Sequence, residues 1–175
     1  MEKKICLQRV DLNKTILVNF TEEMIPKYHE WMQDTFLLES TCTDPLSIEE
    51  VLSMCNSWKT DPKKYTYIIC DKIIYNQDSP SRSMIGDVNI FINDESEGEI
   101  NIMVAEAMYR NKGIASEVLE YIIVCCRDVL RLRRLCAKIS QTNENSQRLF
   151  VKKGFVEYSR IPEFEEIHYM LDLTN

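Results

Sequence analysis

Arg110, Gly113 and Ala115 stand at R-x-x-G-x-A spacing in the segment RNKGIAS, after an apolar stretch, EINIMVA, and before a helical pattern. Residues of these types in this order suit the holding of phosphate. The first amides of a helix have no intrahelical acceptor and sit at the positive end of its macrodipole. A strand that turns into a helix therefore presents a cluster of N–H donors to a pyrophosphate. Gly113 has no Cβ, which lets the backbone come close to such an anion. The stretch from Gly98 to Ala115 is then the unit around which the chain is arranged. Arg110, Lys112, Lys138, Arg148, Lys152 and Lys153 gather positive charge in the second half of a chain whose formal net charge is −7. That total disfavours nonspecific binding to nucleic acid or anionic lipid, yet leaves room for a polyanionic small molecule held by local charge.

The elements that must position this loop follow from pattern. Thr15 to Phe20 (TILVNF) predicts a β-branched-rich strand. Thr21, an N-cap residue followed by two glutamates, opens a first helix through IPKYHEWMQ, with Pro26 tolerated early in it. Ser40 to Pro45 leads to a second helix, which starts with the capping box Ser47-Ile48-Glu49-Glu50 and runs towards Trp58. Tyr65 to Cys70 and Met84 to Ile92 read as strands that pair as a hairpin around a flexible loop at residues 75 to 83. After the turn at residues 93 to 98 and the strand Glu99 to Ala105, apolar positions from Ile114 to Val129 recur at helical spacing. Leu135 to Ser140 is a short strand, and Asn143 caps a helix that carries Leu149 and Phe150 inward and stops at Gly154. Residues 155 to 159 and 167 to 173 close the chain as strands. This order predicts a mixed α/β (α+β) protein, one domain over residues 1 to 175, with a strongly twisted mixed sheet flanked by helices on both faces.

With 175 residues, 45% of them hydrophobic and 28% charged, the chain is expected to bury a sizeable core rather than stay disordered. No apolar run reaches the length of a membrane span, and the start MEKKICLQRVDLNK is unlike a signal peptide. A cytoplasmic protein with no membrane or nucleic-acid partner is expected. The cysteines at 6, 42, 55, 70, 125, 126 and 136 form no C-x-x-C, and an odd number leaves one unpaired. That fits a reducing compartment and thiols used for packing, with no metal site. His29 and His168 lack partner spacing and read as structural. Asp87 and Asn89 alternate with Val88 and Ile90, so this polar face either lines a groove or meets water.

RNKGIA resembles the phosphate-binding signature of the GNAT superfamily of acetyl-CoA-dependent N-acetyltransferases. NENSQRLFVKKGF resembles that superfamily's second motif, a helix ending in Gly-Phe, and follows in the same order. YHEWM (28 to 32), TDPLSIEE (43 to 50), SMCNSW (53 to 58), GDVNIFI (86 to 92) and GEINIMVAE (98 to 106) are similar to the N-acetyltransferase 9-like proteins, over nearly the whole chain. The resemblance implies a GNAT-like fold, acetyl-CoA as cofactor with coenzyme A as product, no metal, and acetyl transfer to an amine by direct attack in a ternary complex. It points to a protein or peptide acceptor with a free N-terminal α-amine, and to tubulin as a partner. By the same resemblance, the backbone of Met103, Val104 and Ala105 pairs with the pantetheine arm and aims an N–H at the developing oxyanion. Arg110, Asn111, Lys112, Gly113, Ile114, Ala115 and Ser116 hold the pyrophosphate, while Asn143 and Ser146 reach the arm.

Glu99, eleven residues before Arg110, matches the offset of the catalytic glutamate in the superfamily's histone-modifying members. Alternation puts it on one face with Asn101 and Met103. A buried carboxylate with a raised pKa is expected there, taking the amine's proton directly or through water. Phe150, also at a cofactor-contacting position, stands where many members carry a tyrosine whose hydroxyl protonates the departing thiolate. Phenylalanine has no such proton, so either water or another residue, with Tyr109 and Tyr169 as candidates, protonates the thiolate, or the thiolate leaves without an acid. The alternatives to α-amine acetylation are transfer to a lysine or small-molecule amine, or a weakly catalytic acetyl-CoA-binding protein that acts through contacts.

Overall fold

The computed structural model describes residues 9–41 and 43–174, so Cys6 and Cys42 lie outside the described residues. The strands are β1 (Arg9–Asp11), β2 (Thr15–Asn19), β3 (Lys64–Asp71), β4 (Met84–Ile92), β5 (Glu97–Val104), β6 (Arg134–Ser140), β7 (Val156–Ile161) and β8 (Glu166–Asp172). They form one sheet in the order β1-β2-β3-β4-β5-β6-β8-β7. Every pairing is antiparallel except that of β5 with β6, which the crossover helix between them makes parallel. The mixed α/β sheet read from the sequence is therefore present. β1 is an addition, and β3 and β4 do pair as expected.

The helices are α1 (Ile25–Trp31), α2 (Thr35–Thr41), α3 (Ile48–Thr60), α4 (Lys72–Gln77), α5 (Pro80–Ser83), α6 (Ile114–Asp128) and α7 (Glu144–Lys152). The Ser47/Glu50 capping box forms with both of its bonds, Asn143 accepts the Ser146 N–H as the cap of α7, and Gly154 ends that segment at φ +89°. Three expectations change. Thr21 makes no side-chain cap bond, and the chain enters α1 through a short 3-10 turn, Glu22–Met24. An unexpected helix, α2, precedes the Ser40 to Pro45 connection and overlaps its start; Asp34 begins it by accepting the Leu37 N–H at 3.0 Å, and it buries Leu37 and Leu38. Residues 75 to 83 are not one flexible loop. Asp71 accepts the Ile73 and Ile74 N–H groups, each at 2.9 Å, and so turns the end of β3 directly into α4, with α5 following at Pro80.

Two hydrophobic clusters lie on opposite faces of the sheet. On one face α6 and α7 cover Ile100, Leu135 and Ile139 with Val118, Ile122 and Phe150. On the other, α1 and α3 cover Ile68 and Met103 with Tyr28, Trp31, Val51 and Cys55. The described cysteines, 55, 70, 125, 126 and 136, are buried and form no disulfide with one another, and burial pushes Cys70 up to about 11. They pack rather than react.

The feature that makes a site is a split in the sheet. β5 pairs with β6 only through Glu97–Glu99 against Arg134–Cys136, after which the two strands separate. β5 meanwhile presses against β4 so closely that a Cβ on Gly86 would stand 2.0 Å from the Met103 carbonyl oxygen, a contact only glycine permits.

Candidate active site

From Ile100 onward β5 pairs with no strand on its β6 side among the described residues, and a cavity of about 500 Å³ runs along this edge to the start of α6. Its walls include Ile102, Met103, Val104, the loop from Arg110 to Ser116, and Asn143, Ser146 and Lys152 from the segment of α7. Gly113 is exposed and left-handed at φ +80°, and Asn111 is left-handed as well, at φ 60°. The first amide bonded within α6 is that of Glu117, to the Gly113 carbonyl at 3.1 Å. The Ile114, Ala115 and Ser116 N–H groups therefore face the cavity mouth without an intrahelical acceptor. This arrangement fits the diphosphate of an anionic cofactor.

Arg110 behaves differently from the expectation that it would reach for phosphate. Its Nε donates to the Val104 carbonyl at 3.0 Å and its Nη2 to the Ala105 carbonyl at 2.7 Å, with the guanidinium 4.4 Å from the Phe36 ring centre. It ties the loop to the end of β5. Arg148 is likewise occupied, by Glu144 and Asn145. A cation that sequence reading missed is Lys14, whose Nζ donates to the Lys112 carbonyl at 2.8 Å and would lie 3.4 Å from a Cβ on Gly113. Glu117 fixes that turn by accepting the Lys14 N–H and the Thr15 hydroxyl. Nothing local in the sequence signals a contact across 98 residues.

The strand-edge expectation divides. The Ala105 N–H donates to the Ile85 carbonyl at 2.9 Å, towards β4, and its carbonyl is taken by Arg110. In an antiparallel pair this direction alternates, so the Met103 amide also faces β4 while those of Ile102 and Val104 face the open edge. Backbone donors free for an arm lying along that edge are thus those of Ile102 and Val104, not those of Met103 and Ala105. Met103 contributes its side chain to the wall.

Where β5 and β6 part, a second cavity of about 260 Å³ is lined by Glu99, Asn101, Lys138, Asn143, Ser146, Phe150 and Glu166. Glu99 is not the apolar-buried carboxylate expected. It pairs with Lys138 Nζ at 2.7 Å and remains partly open to solvent, and this pairing holds the Lys138 ammonium above the usual lysine range. Phe150 is buried, edge-on to Phe155 at 4.9 Å between ring centres. Neither substitute tyrosine serves the notch. Burial and a hydrogen bond to Asp71 push the Tyr109 phenol up, and Tyr169 lies in the core on the α6 face.

On the α1/α3 face, beside Asn101 and Met103, a smaller pocket of about 140 Å³ is lined by Tyr28, Trp58, Lys64, Asp87, Asn89 and Phe91 among others. The polar face of β4 therefore lines a groove and does not meet bulk water. Asp87 is 2% exposed, and its Oδ2 accepts the Tyr28 hydroxyl at 3.0 Å and the Asn89 side-chain amide at 2.8 Å. Burial pushes its carboxyl up. It likewise lowers Lys64, whose ammonium lies 3.3 Å from the Trp58 ring centre and 4.3 Å from that of Phe91, to about 8. The two shifts act at opposite ends of the pH scale. Asp87 holds a proton in the folded state that the unfolded chain has released, so its contribution falls as pH rises through the acidic range. Lys64 releases its proton near 8 when folded and near 10.5 when unfolded, so its contribution to stability rises across that window. Wild type is expected to gain stability over Lys64→Met between about pH 8 and pH 10 in urea melts.

Comparison with known proteins assigns this architecture. A profile described as an acetyltransferase (GNAT) domain matches residues 14–156. An N-acetyltransferase 9-like protein of Nematostella vectensis is 38% identical over 93% of this chain and 85% of that protein. The alpha/beta-tubulin-N-acetyltransferase 9 of Homo sapiens is 35% identical over 92% of this chain and 81% of that one. Among solved structures, spermidine N-acetyltransferase from Vibrio cholerae in complex with CoA and spermine superposes with a TM-score of 0.80 at 16% identity, over 92% of this chain and 96% of that one. The chain belongs to the GNAT acetyltransferases, acyltransferases that use acetyl-CoA. Within that family it is similar to the N-acetyltransferase 9-like proteins.

Proposed function

We propose that the protein transfers the acetyl group of acetyl-CoA to the N-terminal α-amine of a protein, by direct attack in a ternary complex. The observation that carries this reading is the continuity of the split edge. One cavity joins the glycine-bearing start of α6 to the free side of β5, and it adjoins the notch that holds Glu99. The amides of Ile114, Ala115 and Ser116, with Lys14 beside Gly113, hold the diphosphate. The Ile102 and Val104 backbone lies along the arm, and one of these N–H groups faces the oxygen on which charge develops. Asn143 and Ser146 line the same wall. Glu99 takes the amine's proton on the face where the Asp87 pocket opens. A protein acceptor is supported by relatives named alpha/beta-tubulin-N-acetyltransferases, and tubulin is the acceptor to test first. A cytoplasmic setting suits this reading and the chain's buried thiols.

Incubation with acetyl-CoA and a peptide library, followed by mass spectrometry, is expected to find acetyl groups on α-amines and not on lysine side chains. Lysine-only labelling, or no labelling at all, would sink the reading. Glu99→Gln is expected to lower kcat on the order of a hundredfold with melting unchanged, and an unaltered rate at every pH would remove Glu99 from the chemistry.

A further inference from the structure

If an amine attacks at the notch, as proposed above, the departing thiolate leaves faster where a side chain hands it a proton, and Phe150 supplies none. Tyr109 is held by Asp71, Tyr169 lies across the sheet, and the Tyr28 hydroxyl is given to Asp87. Lys138 is placed for the task. It lies two residues beyond the last β6 position paired with β5, so it stands at the point where the strands open. Its Nζ reaches back 2.7 Å to the Glu99 carboxylate, and both residues line the notch together with Phe150, Asn143 and Ser146.

We propose that Glu99 and Lys138 form one proton relay, in which the carboxylate takes a proton from the attacking amine and the Lys138 ammonium gives one to the sulfur of the departing coenzyme A. The amine nitrogen forms the new bond to the acetyl carbon, the carbon–sulfur bond breaks, and its electron pair stays on sulfur. Glu99 then holds the amine's proton and Lys138 has lost one. Transfer across the 2.7 Å contact restores the charged pair. One proton has moved from nitrogen to sulfur, and nothing else is consumed.

The pairing also sets the order of events. While Glu99 is charged it holds the proton on Lys138, and a free lysine ammonium is already a weaker acid than a free thiol. Once Glu99 is neutral that hold is gone. The carboxylic proton then passes through Lys138 to sulfur across the 2.7 Å contact. The acid acts only after the base has acted. Other groups facing Lys138 are Glu166 on β8, itself bonded to His168 at 3.0 Å, and Cys136 on β6, whose sulfur meets the Tyr158 hydroxyl at 3.3 Å. Glu97 nearby is paired with Arg134.

Lys138→Arg separates charge from proton delivery, because a guanidinium keeps the ion pair but does not deprotonate. Its kcat is expected to fall on the order of a hundredfold, with KM for acetyl-CoA and for the acceptor within about twofold. Wild-type kcat in that variant would overturn the relay. A second readout needs no turnover: the thiolate absorbance of bound coenzyme A, followed against pH. Its thiol is expected to ionise at lower pH in wild type and Lys138→Arg than in Lys138→Met, because a cation close by favours the thiolate. Equal titration in all three places Lys138 away from the sulfur and also overturns the proposal. A wild type that acetylates no amine defeats the functional reading instead, while the titration still reports whether Lys138 faces the sulfur.

Discussion

Gly113→Trp is expected to abolish acetyl-CoA binding in isothermal calorimetry while the protein stays folded. The glycine is exposed, so an indole there does not disturb either hydrophobic cluster, yet it starts at the head of α6 with its Cβ beside Lys14 Nζ. Those amides, with Lys14 beside Gly113, form the diphosphate seat proposed above. A loss of at least about a hundredfold in affinity is expected from blocking them. Strain contributes separately, since a side chain at φ +80° costs about 1–2 kcal/mol. Gly113→Ala carries that strain without the bulk and should retain most of the affinity. Unchanged binding in the tryptophan variant would mean that the anion seat lies elsewhere.

Asp87→Ala should be the most destabilising single change on the acceptor side. It would strip the Tyr28 hydroxyl and the Asn89 amide of their shared acceptor and leave the Lys64 ammonium, 6% exposed, without the carboxylate that offsets its burial. Removing one partner from such a buried set costs roughly 3–5 kcal/mol, a large part of a typical domain's 5–15 kcal/mol. Asp87→Asn keeps an oxygen where both donors point, and should cost about 1–3 kcal/mol. Urea midpoints at neutral pH compare the two. Equal losses would show that the carboxylate's charge matters no more than its hydrogen bonds.

Much of this was legible in the linear chain because the signals are local. The Ser47 capping box, the Asn143 cap and the glycine turns at 113 and 154 each depend on residues within one helical turn, and each formed. So did the strand, loop and helix order around Arg110. Residues 75 to 83 read as a loop for a related reason. The cap that starts its helix, Asp71, lies at the end of the preceding strand and outside the polar segment.

The sequence by itself determined the elements and the order in which they come, since periodicity, caps and glycine positions act over a few residues and do not need the rest of the chain. It also placed Gly113 at the head of α6 and Glu99 on one face with Asn101 and Met103. Only the tertiary structure decided what those residues meet. That Lys14 reaches the loop before α6, that Arg110 turns back on β5, that the outward amides are those of Ile102 and Val104, and that Glu99 is joined to Lys138 all follow from pairing register and from where β5 leaves β6. Such contacts are set by the packing of distant segments against one sheet, and no short stretch of sequence carries them.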